Sequence, residues 1–189
     1  NGKNENVPLS FYFDLSGSMS EYTNLLAVLA IELLKKNIKV LIGFNEKVNV
    51  QIDKIEKKID VKEFVKILES AGYSTWNRRS QEEKLTKDAR ISFQLIGQNL
   101  DTYLLSKKAE KCVVFSDFDP RKEILHLSQN INVYWFCFES RFSSFDLEKF
   151  QGFLYKVQNQ KDIADGLIKV NENRFESLCY IKSNKTLKK

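Results

Sequence analysis

Histidine is nearly absent from this chain. His126 is the single histidine among 189 residues. It lies in an amphipathic segment, where an imidazole reads as a surface or half-buried helix residue rather than a general base. Ser-His-Asp and Cys-His chemistry would have to rest on that one residue. Cysteine is scarce as well: Cys112 and Cys137 sit within apolar runs and Cys179 near the end. Three thiols without close spacing fit neither a disulfide framework nor a zinc site, and they lean towards an intracellular, cytoplasmic protein. There are two prolines and seven glycines, with no Pro- or Gly-rich linker, no internal repeat and no low-complexity segment. No apolar run approaches the length of a transmembrane helix, so no membrane insertion is expected. The chain begins at Asn1 with neither methionine nor an apolar leader, which reads as a piece of a larger polypeptide.

What is present suits one globular domain. Hydrophobic residues make up 42% and charged residues 29% of the chain, which excludes wholesale disorder. The length is enough for a substantial core. The formal charge of +5 arises from 30 basic residues interleaved with 25 acidic ones. The excess gathers at Lys182, Lys185, Lys188 and Lys189, a mild bias towards acidic partners rather than a nucleic-acid footprint. The expected organisation is a linker over 1–6, a domain over 7–170 and a basic tail over 171–189.

Along the chain, Val7 to Phe13 reads as a buried strand, and Tyr22 to Lys36 as a largely buried helix ended by Asn37. Ile38 to Phe44 and Val48 to Ile52 are two strands joined by a link too short for a parallel crossover, hence antiparallel neighbours. A short helix over Val61 to Ser70 and a loop from Ala71 to Ser80 follow. Leu85, Ala89, Phe93, Ile96, Leu100 and Leu104 form one stripe that predicts a long helix over Glu82 to Leu105. Lys111 to Ser116, Asn132 to Phe138 and Phe153 to Val157 read as strands. Arg121 to Ser128, a turn around Asp146 to Phe150, and Asp162 to Val170 read as helices. The tail has room for one more amphipathic turn near Phe175 to Tyr180.

The fold class this predicts is α/β: a Rossmann-like open, mostly parallel six-stranded sheet with one antiparallel edge strand and helices on both faces. Right-handed crossovers put the first three strands on one side and the last three on the other. Ligands in such sheets bind at the carboxyl ends of the strands where the order reverses. Asp14 follows the first strand and Asp117 the fourth, so the two carboxylates face each other across that crevice.

The loop after the first strand is Asp14-Leu15-Ser16-Gly17-Ser18. A carboxylate and two hydroxyls at alternate positions offer hard oxygen ligands, which suit Mg²⁺, Ca²⁺ or Mn²⁺ and suit zinc poorly. The simpler reading is a helix cap, because Ser18-x-x-Glu21 has capping-box spacing.

These residues resemble the metal-ion-dependent adhesion site of the von Willebrand factor A domain. That family has Asp-x-Ser-x-Ser after its first strand, a threonine in a later loop and an aspartate after its fourth strand. Asp14, Ser16 and Ser18 match the first element, Thr75 is the best match to the second, and Asp117 matches the third. Tyr73-Ser74 stands where many members have two glycines, and Phe118 where many have glycine. The resemblance implies a metal-binding module without enzymatic activity. Ser16, Ser18 and Thr75 would contact Mg²⁺, with Mn²⁺ or Ca²⁺ as alternatives, and Asp14 and Asp117 would act largely through water. The partner would be a protein supplying an Asp or Glu to the ion, with Arg78 and Arg79 on the rim.

Two other classes remain open on the sequence. Ser116-Asp117-Phe118-Asp119 after an apolar strand looks like the first motif of haloacid-dehalogenase-type phosphatases, a Mg²⁺-dependent family with a carboxylate nucleophile. That motif belongs on a first strand, however, and at the first strand here Ser16 replaces the second aspartate. The third class is an RNA-associated domain of a ribonucleoprotein, suggested by Trp76 beside Arg78 and Arg79.

Overall fold

The computed structural model describes residues 9–15, 17–44, 47–72, 90–109, 111–116, 132–138, 152–157, 159–171 and 179–181. Among them are eight strands: β1 (Leu9–Asp14), β2 (Val40–Phe44), β3 (Lys47–Ile55), β4 (Ile91–Asn99), β5 (Lys111–Ser116), β6 (Asn132–Phe138), β7 (Gly152–Val157) and β8 (Cys179–Ile181). They share one sheet in the order β4-β3-β2-β1-β5-β6-β7-β8. Strands β2, β1, β5, β6 and β7 are parallel, while β3 and β4 on one side and β8 on the other run antiparallel to their neighbours. The six expected strands are all present in the expected order, and β4 and β8 extend the sheet beyond them.

Both additions correct the sequence reading. Ile91–Asn99 is a strand, and only Leu100–Ser106 of the expected long helix is helical among the described residues. Ile91, Phe93 and Leu95 alternate as well as they stripe, and all three pack into one core cluster while Ile96 joins the other. Gly97 at φ 72 breaks the alternation at that point. A short stretch of β-branched and aromatic residues satisfies either period, and pairing with β3 decides it. Cys179–Ile181 pairs with β7, so the sheet reaches into the stretch read as a tail, while most of the turn expected near Phe175 to Tyr180 lies outside the described residues.

Four α-helices are described: α1 (Thr23–Lys35), α2 (Val61–Gly72), α3 (Leu100–Ser106) and α4 (Gln160–Asn171). A 3-10 helix, Gly17–Tyr22, stands between β1 and α1. Strand alternation sends Phe11, Phe13, Val40, Ile42, Val113 and Phe115 to a first face, where they meet apolar residues of α1, α2 and α4. Tyr12, Leu41, Cys112, Val114 and Trp135 point to the second face and meet α3. Helices therefore cover both faces.

The helix ends follow from local residues. Asp60 and Glu63 cap α2 reciprocally, and Asn159 and Asp162 do the same for α4. At the end of α1, Asn37 takes φ 60, its N–H donates to the Leu34 carbonyl and that of Ile38 to Leu33, a Schellman closure. Asn37 thus stops the helix as expected.

Candidate metal centre

The site is built from the chain's habit of ending apolar strands in a polar residue. β1 runs Leu-Ser-Phe-Tyr-Phe and closes on Asp14. The Leu15 N–H then donates to the Gly43 carbonyl at 2.8 Å, carrying the β1–β2 ladder one residue past the aspartate. Gly43 pairs with Asp14 in register. A Cβ on Gly43 would lie 1.8 Å from the Lys47 carbonyl oxygen, because β3 folds back tightly at a bulge there. Glycine is required at that position.

Past Leu15 the chain enters the 3-10 helix. Met19 is fully buried in the first-face core, and the Tyr22 ring packs 5.0 Å from that of Phe138 on β6. The Thr23 hydroxyl donates to the Ser20 carbonyl at 3.0 Å. These contacts seat the turn on the sheet. Tyr22 occupies the N-cap of α1 and makes no side-chain cap bond, so Ser18 is not the cap of that helix.

At the opposite side of β1, Ser116 ends β5. Its hydroxyl donates to Asp14 Oδ2 at 2.6 Å, and both residues are buried, at 4% and 8% exposure. The strand order reverses between β1 and β5, so this bond spans the switch point at the carboxyl ends of the strands. Register places Gly43, Asp14, Ser116 and Cys137 side by side across β2, β1, β5 and β6, all on the second face. A buried carboxylate needs hydrogen bonds or a cation to offset its lost hydration, and Ser116 supplies one such bond.

None of the protein-family models, curated proteins or solved structures compared with this chain matches it.

Of the residues expected at the site, Asp14 stands where the topology required it. Ser18 belongs to the 3-10 helix. Ser16, Thr75 and Asp117 lie outside the described residues, as do Trp76, Arg78, Arg79, Asp119 and His126. Asp117 directly follows Ser116 in the chain, and Thr75 comes three residues after Gly72, the last of α2. The end of α2 is pinned: Asn49, at the β3 bulge, donates from Nδ2 to the Ala71 carbonyl at 3.2 Å. Asn49 is 1% exposed and its Oδ1 has no hydrogen-bond partner among the described residues.

Ser116 is the residue the sequence reading passed over. The signal was there: two apolar strands each end in a polar residue, and both polar residues fall on the same parity of the sheet.

The donors at the switch point are a carboxylate and a hydroxyl, which suit a hard divalent cation. Among the described residues no group of three or more His, Cys, Asp or Glu is placed to hold a metal. Thiolate chemistry has no support at Cys112, whose thiol is pushed up by full burial and stays protonated. Asp162 accepts the Asn159 N–H in the cap of α4. No helix among the described residues is long and apolar enough to cross a membrane.

Proposed function

We propose that this chain is a divalent-cation-dependent protein-binding domain of the von Willebrand factor A type, without enzymatic activity. The observation that carries this reading is the position of Asp14. The first residue of Asp-Leu-Ser-Gly-Ser is buried at the end of the central strand and bonded across the switch point to the residue before Asp117. Ser16, Ser18 and Thr75 would supply hydroxyl oxygens, and Asp14 and Asp117 would hold waters around the ion. A bound Mg²⁺, with Mn²⁺ or Ca²⁺ as substitutes, would offer an electrophilic position to a partner's Asp or Glu. Arg78 and Arg79 follow Thr75 closely and would favour an acidic partner. A cytoplasmic setting belongs to the proposal and is supported by the three widely spaced cysteines, whose spacing fits no disulfide framework.

Isothermal titration calorimetry with Mg²⁺ and Mn²⁺, on the wild type and on Asp14→Ala, tests the reading. The wild type is expected to bind and the variant to lose at least tenfold in affinity, the lower end of what metal-shell substitutions cost, on the order of 10–100-fold. Equal titrations for the two proteins would sink the proposal.

A further inference from the structure

We infer that β4 is a self-association edge, which pairs antiparallel with the β4 of a second copy of this chain about a twofold axis through Phe93. The cation site plays no part in this. The two ends of the sheet differ in length: β8 has three residues, Cys179–Ile181, and β4 has nine, Ile91–Asn99. Sheets commonly guard a long edge with lysine, proline or an inward-pointing charge. The sequence of β4, Ile-Ser-Phe-Gln-Leu-Ile-Gly-Gln-Asn, has no charged residue and no proline. Its bulge falls late, where Ile96 and Gly97 stand opposite Asn49 between the Val48–Gln98 and Val50–Leu95 pairs. At the other register shift the extra residue, Asp53, belongs to β3. From Ile91 to Leu95 the strand is thus regular and neutral, and among the described residues no strand pairs with its outer edge.

Symmetry and charge name the occupant. Residues opposite each other in an antiparallel pair share a face, so a twofold axis normal to the sheet passes through a residue. Placed at Phe93, it sets Phe93 against its own copy, Ile91 against Leu95 and Ser92 against Gln94. Moved to Gln94 or Leu95, it would draw the bulge at Gly97 into the pairing. Ile91, Phe93 and Leu95 belong to the first-face core, Ile91 buried and the other two partly buried. Pairing through Phe93 carries that core across the axis and covers more of both partly buried side chains. Ser92 and Gln94 alternate to the second face, and both are polar and uncharged. No pair sets like charges opposite each other, the condition a strand meets to pair with itself. Five residues from each copy fall well short of the roughly 20–30 a side of a standard interface, so the dimer forms reversibly and with rising concentration.

The test is analytical ultracentrifugation of the full chain in EDTA, over rising protein concentration. The wild type is compared with two double variants, Ser92→Lys/Gln94→Lys and Ser92→Glu/Gln94→Lys. Within one chain the Ser92 hydroxyl donates to Glu56 and the Gln94 amide to Asp53, so a lysine at either place meets a carboxylate and the fold should hold. A cooperative urea transition in each variant is the control. The wild type is expected to pass from monomer to dimer. The double-lysine variant sets lysine against lysine at both symmetry-related pairs and should associate roughly tenfold more weakly. The glutamate–lysine variant sets opposite charges at the same pairs and should dimerise at least as well as the wild type. A wild type that stays monomeric at every concentration overturns the inference, and so does a double-lysine variant that dimerises like the wild type. Equal losses in the two variants overturn the pairing through Phe93. Amide hydrogen exchange reads the same edge without substitution: protection of wild-type β4 should grow with concentration, and protection that stays constant counts against the pairing. With no divalent cation present, none of these outcomes bears on the metal reading.

Discussion

The two faces of the sheet use polar groups differently. On the first face, under α1, α2 and α4, the buried polar side chains among the described residues include Thr23 and Asn49, and both donate to main-chain carbonyls, of Ser20 and Ala71. On the second face, the buried polar side chains among the described residues include Asp14, Gln51 and Ser116, which bond to other side chains: Ser116 to Asp14, Gln51 to Asp53, Tyr103 to Gln51; the Tyr12 hydroxyl there donates to the Lys47 main-chain carbonyl. A bond to a carbonyl fixes the local path of the chain. A bond between side chains fixes one functional group relative to another. The first face is thus built around an aromatic cluster, and the second adds bonds between side chains, at strand ends for Asp14 and Ser116 and within β3 for Gln51.

This contrast is broken most directly at Phe115. Its ring meets those of Phe13 and Phe136 at 5.2 Å each and stacks with Phe11 at 6.3 Å. Phe115→Ala should cost about 3–5 kcal/mol in urea unfolding. A loss below about 1 kcal/mol would show that the aromatic cluster is not the stabilising centre assigned to it. Gly166 on α4 sharpens the same point. A Cβ there would lie 2.7 Å from Tyr155 and 2.8 Å from Phe136, so Gly166→Ala should destabilise by roughly 1–3 kcal/mol despite alanine's better helix propensity. A stabilised variant would mean that the rings yield easily and the first face is loosely packed.

On the second face the expected costs are smaller. Tyr103→Phe removes the phenol's bond to Gln51 and should cost about 1 kcal/mol with no change of fold. Titration of stability with alkali probes both faces at once. Burial raises the Tyr134 phenol on the first face from its ordinary 10.0 to about 12. In the unfolded chain that phenol loses its proton first, so the stability it supplies is complete below pH 10 and lost as pH rises through about 12. The Cys112 thiol on the second face, also raised by burial, adds a loss that starts above its ordinary 9.0. Unfolding midpoints measured from pH 8 upward should fall through this range, and Tyr134→Phe should flatten the upper part of the decline. An unchanged profile in that variant would remove Tyr134 from the account. The smallest effect is a gain: Lys108 takes φ 54 just past α3, and Lys108→Gly should raise stability by roughly 0.5–1 kcal/mol in the same unfolding measurement.

Much of the parallel sheet was legible. Fully buried parallel strands are near-continuous apolar runs, and β5 and β6 begin and end where those runs do. The placement of Asp14 at the switch point followed from strand order alone. The middle of the expected long helix failed for a physical reason: Ile91 to Asn99 satisfies two periods, and a partner strand, invisible in a linear reading, chose between them. β8 has three residues and no pattern of its own, and its pairing with β7 makes it a strand. At the site, ligand types could be read from the loop, but the contact between Asp14 and Ser116 required knowing which residues share a face and a register. Ser16, Thr75 and Asp117 lie outside the described residues, so that part of the reading stays with the proposal.

The 102-residue separation of Asp14 and Ser116 has a consequence for assembly. Closing a loop of that length is an entropic cost that no local segment of the chain meets by itself. The two strand ends come together only when β1 pairs with β5, which makes their meeting a non-local event in folding. A cation gripped there would be blind to isolated hairpins and helices and would register the long-range pairing of β1 with β5. Its binding would then serve as a chemical readout of that pairing, and its free energy would be credited wholly to the native state.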